Sequence, residues 1–221
     1  MTCFVPRPHG RLNLPTIVLI LFACCLSVTV QKGALAATAA PAATTFPALG
    51  DDQSIIPPDT MGAVGPNHVM TVLNSQVRIQ SRTGAVLNTF TMSSSATTWP
   101  LLVPLDKPDV SDPHLLYDPY GGRWIFSAMI NAETASSAIV VGVSQGSDPT
   151  AAWNPLLVIP ADSKGLNWAD FPTLGFNKNW VVVAANLYAN SNNSLQGAEV
   201  IAIDKAKLYD TSGTVPVTYT S

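Results

Sequence analysis

The stretch "DPHLLYDPYGGRWIFSAMIN" (112–131) decides the fold. It reads as a strand, "PHLLYDP" (113–119), a tight Gly-Gly turn, and a second strand, "RWIFSAMIN" (123–131). Asp118 serves as the turn acceptor, while Gly121 and Gly122 supply the positive φ that a short hairpin needs. Two further copies of this unit lie in the chain, "DTMGAVGPNHVMTVLN" (59–74) and "DFPTLGFNKNWVVVAANLY" (170–188). Each opens on an aspartate, and Asp59, Asp112 and Asp170 follow one another at intervals of 53 and 58 residues.

Each hairpin is followed by two more short runs rich in Val, Ile, Leu and aromatic residues. In the first copy these are "QVRIQS" (76–81) and "AVLNTFTM" (85–92), in the second "AIVVGVSQ" (138–145) and "NPLLVIP" (154–160), and in the third "AEVIAIDK" (198–205) and "VPVTYT" (215–220). No stretch after residue 57 carries a helical 3.6-residue apolar period, so the folded part is all-β. Four strands repeating at roughly 40 to 50 residues are the signature of a propeller blade. The expectation is a β-propeller-type fold of about three four-stranded antiparallel blades, an incomplete propeller, with blades at about 57–107, 108–165 and 166–221.

On these Asp-led hairpins the chain resembles the secreted bacterial β-propellers, including sialidase-like and related extracellular propellers of unassigned function. The resemblance covers about Pro57 to Ser221. It implies architecture and carries over no catalytic residue. Sialidase-type boxes lie in the outer hairpin of a blade, whereas "YDPYGGRW" (117–124) lies in the inner one. Propellers usually close with at least four blades. The resemblance therefore implies further blades from a longer chain, pairing in a dimer, or a strap that covers an open face.

The N-terminus reads as an export signal. Arg7 and Arg11 precede the apolar run "LPTIVLILFACCLSVTV" (14–30), and "ALA" (34–36) is a small-residue cleavage motif. The mature chain then starts near Ala37, secreted to the cell surface, the periplasm or the medium, with no membrane association after cleavage. A retained anchor and a lipoprotein built on Cys24 are the rivals. Cys3, Cys24 and Cys25 are the three cysteines and all fall in this segment, so the mature chain has neither disulfide nor thiol chemistry. Residues 37–56, rich in Ala, Thr and Pro, read as a linker or a surface strap.

Removing Arg7, Arg11 and Lys32 leaves eight basic residues against fourteen acidic ones, a net charge of about −6. That sign argues against nucleic acid as a partner, which requires clustered Lys and Arg. The sequence also lacks the G-x-S-x-G, H-E-x-x-H, P-loop and dinucleotide signatures.

Candidate site residues come from the repeat. The first strand of a blade lines the central channel and the second returns beside it, which gathers strand starts and strand ends at one mouth. Asp59, Asp112 and Asp170 stand at the starts, and Asn74, Asn131 and Asn186 at or near the ends. Such oxygens suit Ca²⁺ or a hydroxyl-rich ligand. The same repetition also fits strand caps that tie one blade to the next. His114 is individual to the second copy, since Met61 and Pro172 stand at the matching positions. Trp168, just before Asp170, is a candidate sugar platform. Trp124, which parallels Trp180, reads as core between blades. The function expected is a binding or scaffold module for carbohydrate or protein. The competing class is a glycoside hydrolase or sialidase-like enzyme using the channel-mouth carboxylates.

Overall fold

The computed structural model describes residues 44–92, 108–212 and 219–220. Residues 44–221 form one compact unit, and 1–43 are a separate unit outside the described residues. The expected export signal, the first part of the linker, and 93–107 between the first two blades therefore fall outside what is described.

Twelve strands and one short helix are present among the described residues. The first sheet holds β1 (Met61–Val64), β2 (His68–Val72), β3 (Gln76–Ser81) and β4 (Val86–Thr91). The second holds β5 (Val110–Asp118), β6 (Arg123–Ile130), β7 (Ala138–Val143) and β8 (Leu157–Pro160). The third holds β9 (Asn167–Phe176), β10 (Trp180–Ala189), β11 (Leu195–Asp204) and β12 (Tyr219–Thr220), with helix α1 (Lys205–Leu208) after β11. Each sheet is a four-stranded meander in sequence order, and every pairing is antiparallel. The protein is thus all-β, three blades of an incomplete propeller, with β1 beside β5 and β5 beside β9 at its inner side.

Strand alternation explains the packing. Along β6, Trp124, Phe126, Ala128 and Ile130 face the first blade, where they bury Met70, Val72, Val77 and Ile79. Ile125 on the same strand faces the third blade and joins Ile139, Val141 and Val143 against Val181, Val183, Ile201 and Ile203. The middle blade is therefore buried on both faces, which is why β7, "AIVVGV", is apolar without interruption. Each such aliphatic side chain contributes roughly 1.5–3 kcal/mol on burial.

Trp124 is core, as its neighbours require, with its indole N–H donating to the Ser147 carbonyl at 3.0 Å. Trp180 is not its counterpart. It stands at the first residue of β10, one residue out of phase with the buried Val181, and is 43% exposed.

The outer face of the first blade carries a segment from before the first strand. Gln76, Arg78 and Gln80 alternate along β3 and donate to the Asp52 carboxylate at 2.8 Å, the Ala48 carbonyl at 2.9 Å and the Pro47 carbonyl at 2.9 Å. Period-two spacing places all three on one side, so they hold the extended segment along the strand.

Candidate functional site

The innermost strands are interrupted where the aspartates lie. In the second blade, Ser111 pairs with Met129 and His114 with Ser127, leaving Asp112 and Pro113 opposite Ala128 alone. In the third, Asp170 pairs with Asn186 and Thr173 with Ala184, leaving Phe171 and Pro172 opposite Ala185. These are β-bulges, and proline fits there because no ladder N–H is required of it. The bulge residues take positive φ, 50° at Asp112 and 51° at Phe171, and Asp59 adopts 47° just before β1.

The bulges correct the alignment of the three copies. Asp59 and Asp112 correspond to Phe171, whereas Asp170 corresponds to Ser111. His114 then matches Met61 and Thr173, not Pro172. Only Asp59 lies ahead of its strand; Asp112 and Asp170 lie within theirs. The asparagines regroup as well. Asn74 and Asn186 are equivalent, with Met129 at that place in the middle blade. Asn131 lies two residues further on, where it exchanges bonds with the backbone of Asp109. The expected threefold Asp–Asn pairing is therefore absent in the middle blade.

The carboxylates nevertheless meet across blades. Buried Asn74 links them: its Nδ2 donates to Asp59 Oδ2 at 2.7 Å and its Oδ1 accepts from the Asp112 backbone N–H at 2.8 Å. Asp112 Oδ2 in turn accepts from the Phe171 N–H at 3.2 Å. The chain of contacts runs from the first blade through the second to the third.

Electrostatics follow from this crowding. Burial pushes the Asp112 carboxyl up to about 6, helped by a hydrogen bond to the Asp59 carboxyl and by the charges of Asp59 and Asp170. Burial also raises Asp170, partly offset by the Phe171 N–H. His114 is lowered by burial against the opposing pull of Asp59, which favours the neutral imidazole. Its ring meets Phe171 edge-on, with centroids 6.1 Å apart.

One expectation fails here. Trp168 is no platform: it is 8% exposed, stacked on Tyr188 at 5.1 Å and bonded through its indole N–H to Asn193 Oδ1. The aromatic ring that does face solvent beside the carboxylates is Phe171, 56% exposed. Sequence reasoning missed it because only the bulge turns this residue outward. Among the described residues no group of three acidic, His or Cys side chains is placed to hold a metal ion.

No protein-family model matches the chain, and no curated protein matches it. Among solved structures it is similar to a GH43 endo-arabinanase from Bacillus licheniformis, with 10% identity, TM-score 0.40, and coverage of 66% of this chain and 52% of that one. It is similar to an α-L-arabinanase of Cellvibrio cellulosa in complex with arabinohexaose, with 11% identity, TM-score 0.42, and coverage of 65% and 52%. An exo-1,5-α-L-arabinanase from a bovine ruminal metagenomic library gives 11% identity, TM-score 0.42, and coverage of 67% and 54%. The chain spans about half the length of these structures.

Proposed function

We propose that this chain is an exported carbohydrate-active protein whose chemistry is glycoside hydrolysis at Asp59, Asp112 and Asp170. The observation that carries the reading is that Asn74 bonds both the Asp59 carboxylate and the Asp112 backbone, crowding these two carboxyls and that of Asp170 so that Asp112 is held near 6. Glycosidic cleavage needs one protonated and one ionised carboxyl, and like charges in contact are a direct way to split two acidities. Carboxyls that flank a glycosidic oxygen stand roughly 5–9.5 Å apart, and Asp59 and Asp112, both held by Asn74, are read as one acidic group rather than as that flanking pair. The pair therefore acts as one acid, donating the Asp112 proton to the leaving oxygen. Asp170, from the next blade, is the second carboxylate, acting on water or on the anomeric carbon. Phe171 supplies an exposed apolar face for a sugar ring next to that acid.

The test is release of reducing sugar from a panel of arabinan, xylan, β-glucan and sialylated glycans by the intact secreted chain. Asp112→Asn and Asp170→Asn are expected to lower the rate on the responsive glycan by about a hundredfold or more. Turnover left unchanged by both variants would overturn the reading.

A second reading is a binding module with the same ligand class. Asp112 spends one oxygen on a backbone N–H and Asp59 accepts from Asn74, as structural aspartates do. Glycan binding without product release would select it. Export rests on the N-terminal pattern, and N-terminal sequencing of protein recovered outside the cytoplasm is expected to begin near Ala37.

A further inference from the structure

The inner hairpins have a second end, and it is built differently. From Asp112 to Asp118 the strand β5 advances about 20 Å, so the β5–β6 turn lies well away from the carboxylates. There a cleft of about 990 Å³ opens between that turn, the β9–β10 turn and α1. Its lining includes Phe176 and Tyr209, and the Lys205 ammonium lies over both rings, 4.8 and 5.3 Å from their centroids. Lys205 is also paired with buried Asp118 and donates to the Asn177 carbonyl at 2.9 Å. Asp204, the acid in the lining, caps α1. Lys205 is thus answered within the protein, and the other two charged residues of the lining, Lys178 and Asp204, are of opposite sign.

Two aromatic side chains in the lining remain in solvent, Tyr120 at 91% and Trp180 at 43% exposure. Tyr120 is not loosely placed. Its backbone N–H donates to Asp118 Oδ1 at 2.9 Å, and Tyr209 donates its hydroxyl to Asp118 Oδ2 at 2.9 Å. Next to it, a Cβ on Gly121 would lie 2.6 Å from the Tyr209 ring and 2.8 Å from Asp118 Oδ2, so only glycine fits. Gly122 completes the turn at φ 63°. A buried ion pair thus fixes a turn whose exposed tyrosine gains nothing from burial. Both rings stand on turns whose backbone N–H groups are hydrogen-bonded, and exposed aromatic side chains beside a cleft of ligand size suit a binding site because they have few torsions to fix.

We propose that this cleft is a second carbohydrate-binding site, for a neutral oligosaccharide, separate from the carboxylates. Sugar rings present apolar C–H faces that stack on aromatic side chains, and Tyr120 and Trp180 offer such surfaces. With Lys205 paired to Asp118 and Lys178 set against Asp204, the lining has no excess charge of either sign to attract an anion. The site holds a chain without cleaving it, so it does not depend on the hydrolytic reading of the aspartates.

Affinity electrophoresis of the secreted chain in gels containing arabinan, xyloglucan, mixed-linkage β-glucan or the anionic polygalacturonate tests this. Expected is retardation by at least one neutral polysaccharide, with apparent Kd raised at least tenfold by Tyr120→Ala and by Trp180→Ala and unchanged by Asp112→Asn. Tyr120 is so exposed that its removal leaves folding intact, and a native circular dichroism spectrum checks this for both variants. Retardation by polygalacturonate alone, by no polysaccharide, or with full affinity in Tyr120→Ala overturns the proposal. Loss of binding in Asp112→Asn also overturns it, since binding would then belong to the carboxylates. Failure of the hydrolytic reading is seen separately, in sugar release by the same variants.

Discussion

Asn74 of the first blade and Asp112 of the second are joined by a 2.8 Å bond from the Asp112 N–H to Asn74 Oδ1, while Asn74 Nδ2 reaches Asp59. One buried amide thereby sets the distance between two carboxylates that lie 53 residues apart in sequence. Asn74→Ala is expected to cost about 1–3 kcal/mol, since it strands the Asp112 N–H. Urea denaturation at neutral pH measures this, and a change below the error of the method would mean that the link carries no weight.

The elevated Asp112 acidity makes a prediction with a definite sign. Its carboxyl stands at about 6 in the fold against 3.8 ordinarily, so the folded chain binds this proton more tightly than the unfolded one. The stability it contributes is complete below about pH 4 and is lost as pH rises through about 6. Asp112→Asn imitates the protonated form, so its stability relative to the parent should rise between pH 4 and 7. Because the group is only half-buried, solvent screening keeps the gain to about 1 kcal/mol. Paired denaturation curves across this range give the answer, and a gap that stays constant with pH would refute the assignment.

Lys205 and Asp118 form an ion pair with both side chains withdrawn from water, Asp118 being 0% exposed. Burial pushes Asp118 up, but Lys205, the Gly121 and Tyr120 N–H groups and the Tyr209 hydroxyl together hold it below the usual carboxylate range. Lys205→Met leaves that charge without its partner and should destabilise the chain by about 3–5 kcal/mol. Adding Asp118→Leu is expected to recover part of the loss. A double variant no more stable than Lys205→Met would show that packing around the pair matters more than charge.

Gly84 tests the segment that runs along the first blade. It sits at φ 91°, and a Cβ there would come within 2.7 Å of the Phe46 ring. Gly84→Ala should cost about 1–3 kcal/mol from the backbone conformation and the clash together. The near atoms include the Phe46 Cβ as well as its ring, so Phe46→Gly in the same chain is the variant that removes the clash. Thermal denaturation of the single and double variants separates the two, and equal costs in both backgrounds would mean that Phe46 exerts no steric constraint.

The strands were legible in the sequence because their signal is local. Alternating apolar residues in "QVRIQS" and the continuous apolar run that opens "WVVVAANLY", with Gly, Asn and Asp between runs, suffice to place β3 and β10, and recurrence of the four-strand group supplies the blades. The uninterrupted apolar run of β7 also follows from sequence, although which neighbours bury its two faces does not. What only the tertiary structure decided is the alignment of the inner strands. A bulge inserts an unpaired residue, and its position is set by the partner strand, so counting from the aspartate put Asp170 where Phe171 belongs. That one-residue shift exposes Phe171, while Trp168 is buried by its stacking on Tyr188 and Asn131 stands two residues beyond the place that Asn74 and Asn186 share. The acidity of Asp112 was equally beyond local reading, because it arises from burial and from carboxylates on two other blades. Periodicity along the chain specifies the sheets; the chemistry depends on which side chains from different sheets are held in contact, and that is fixed only when the blades pack.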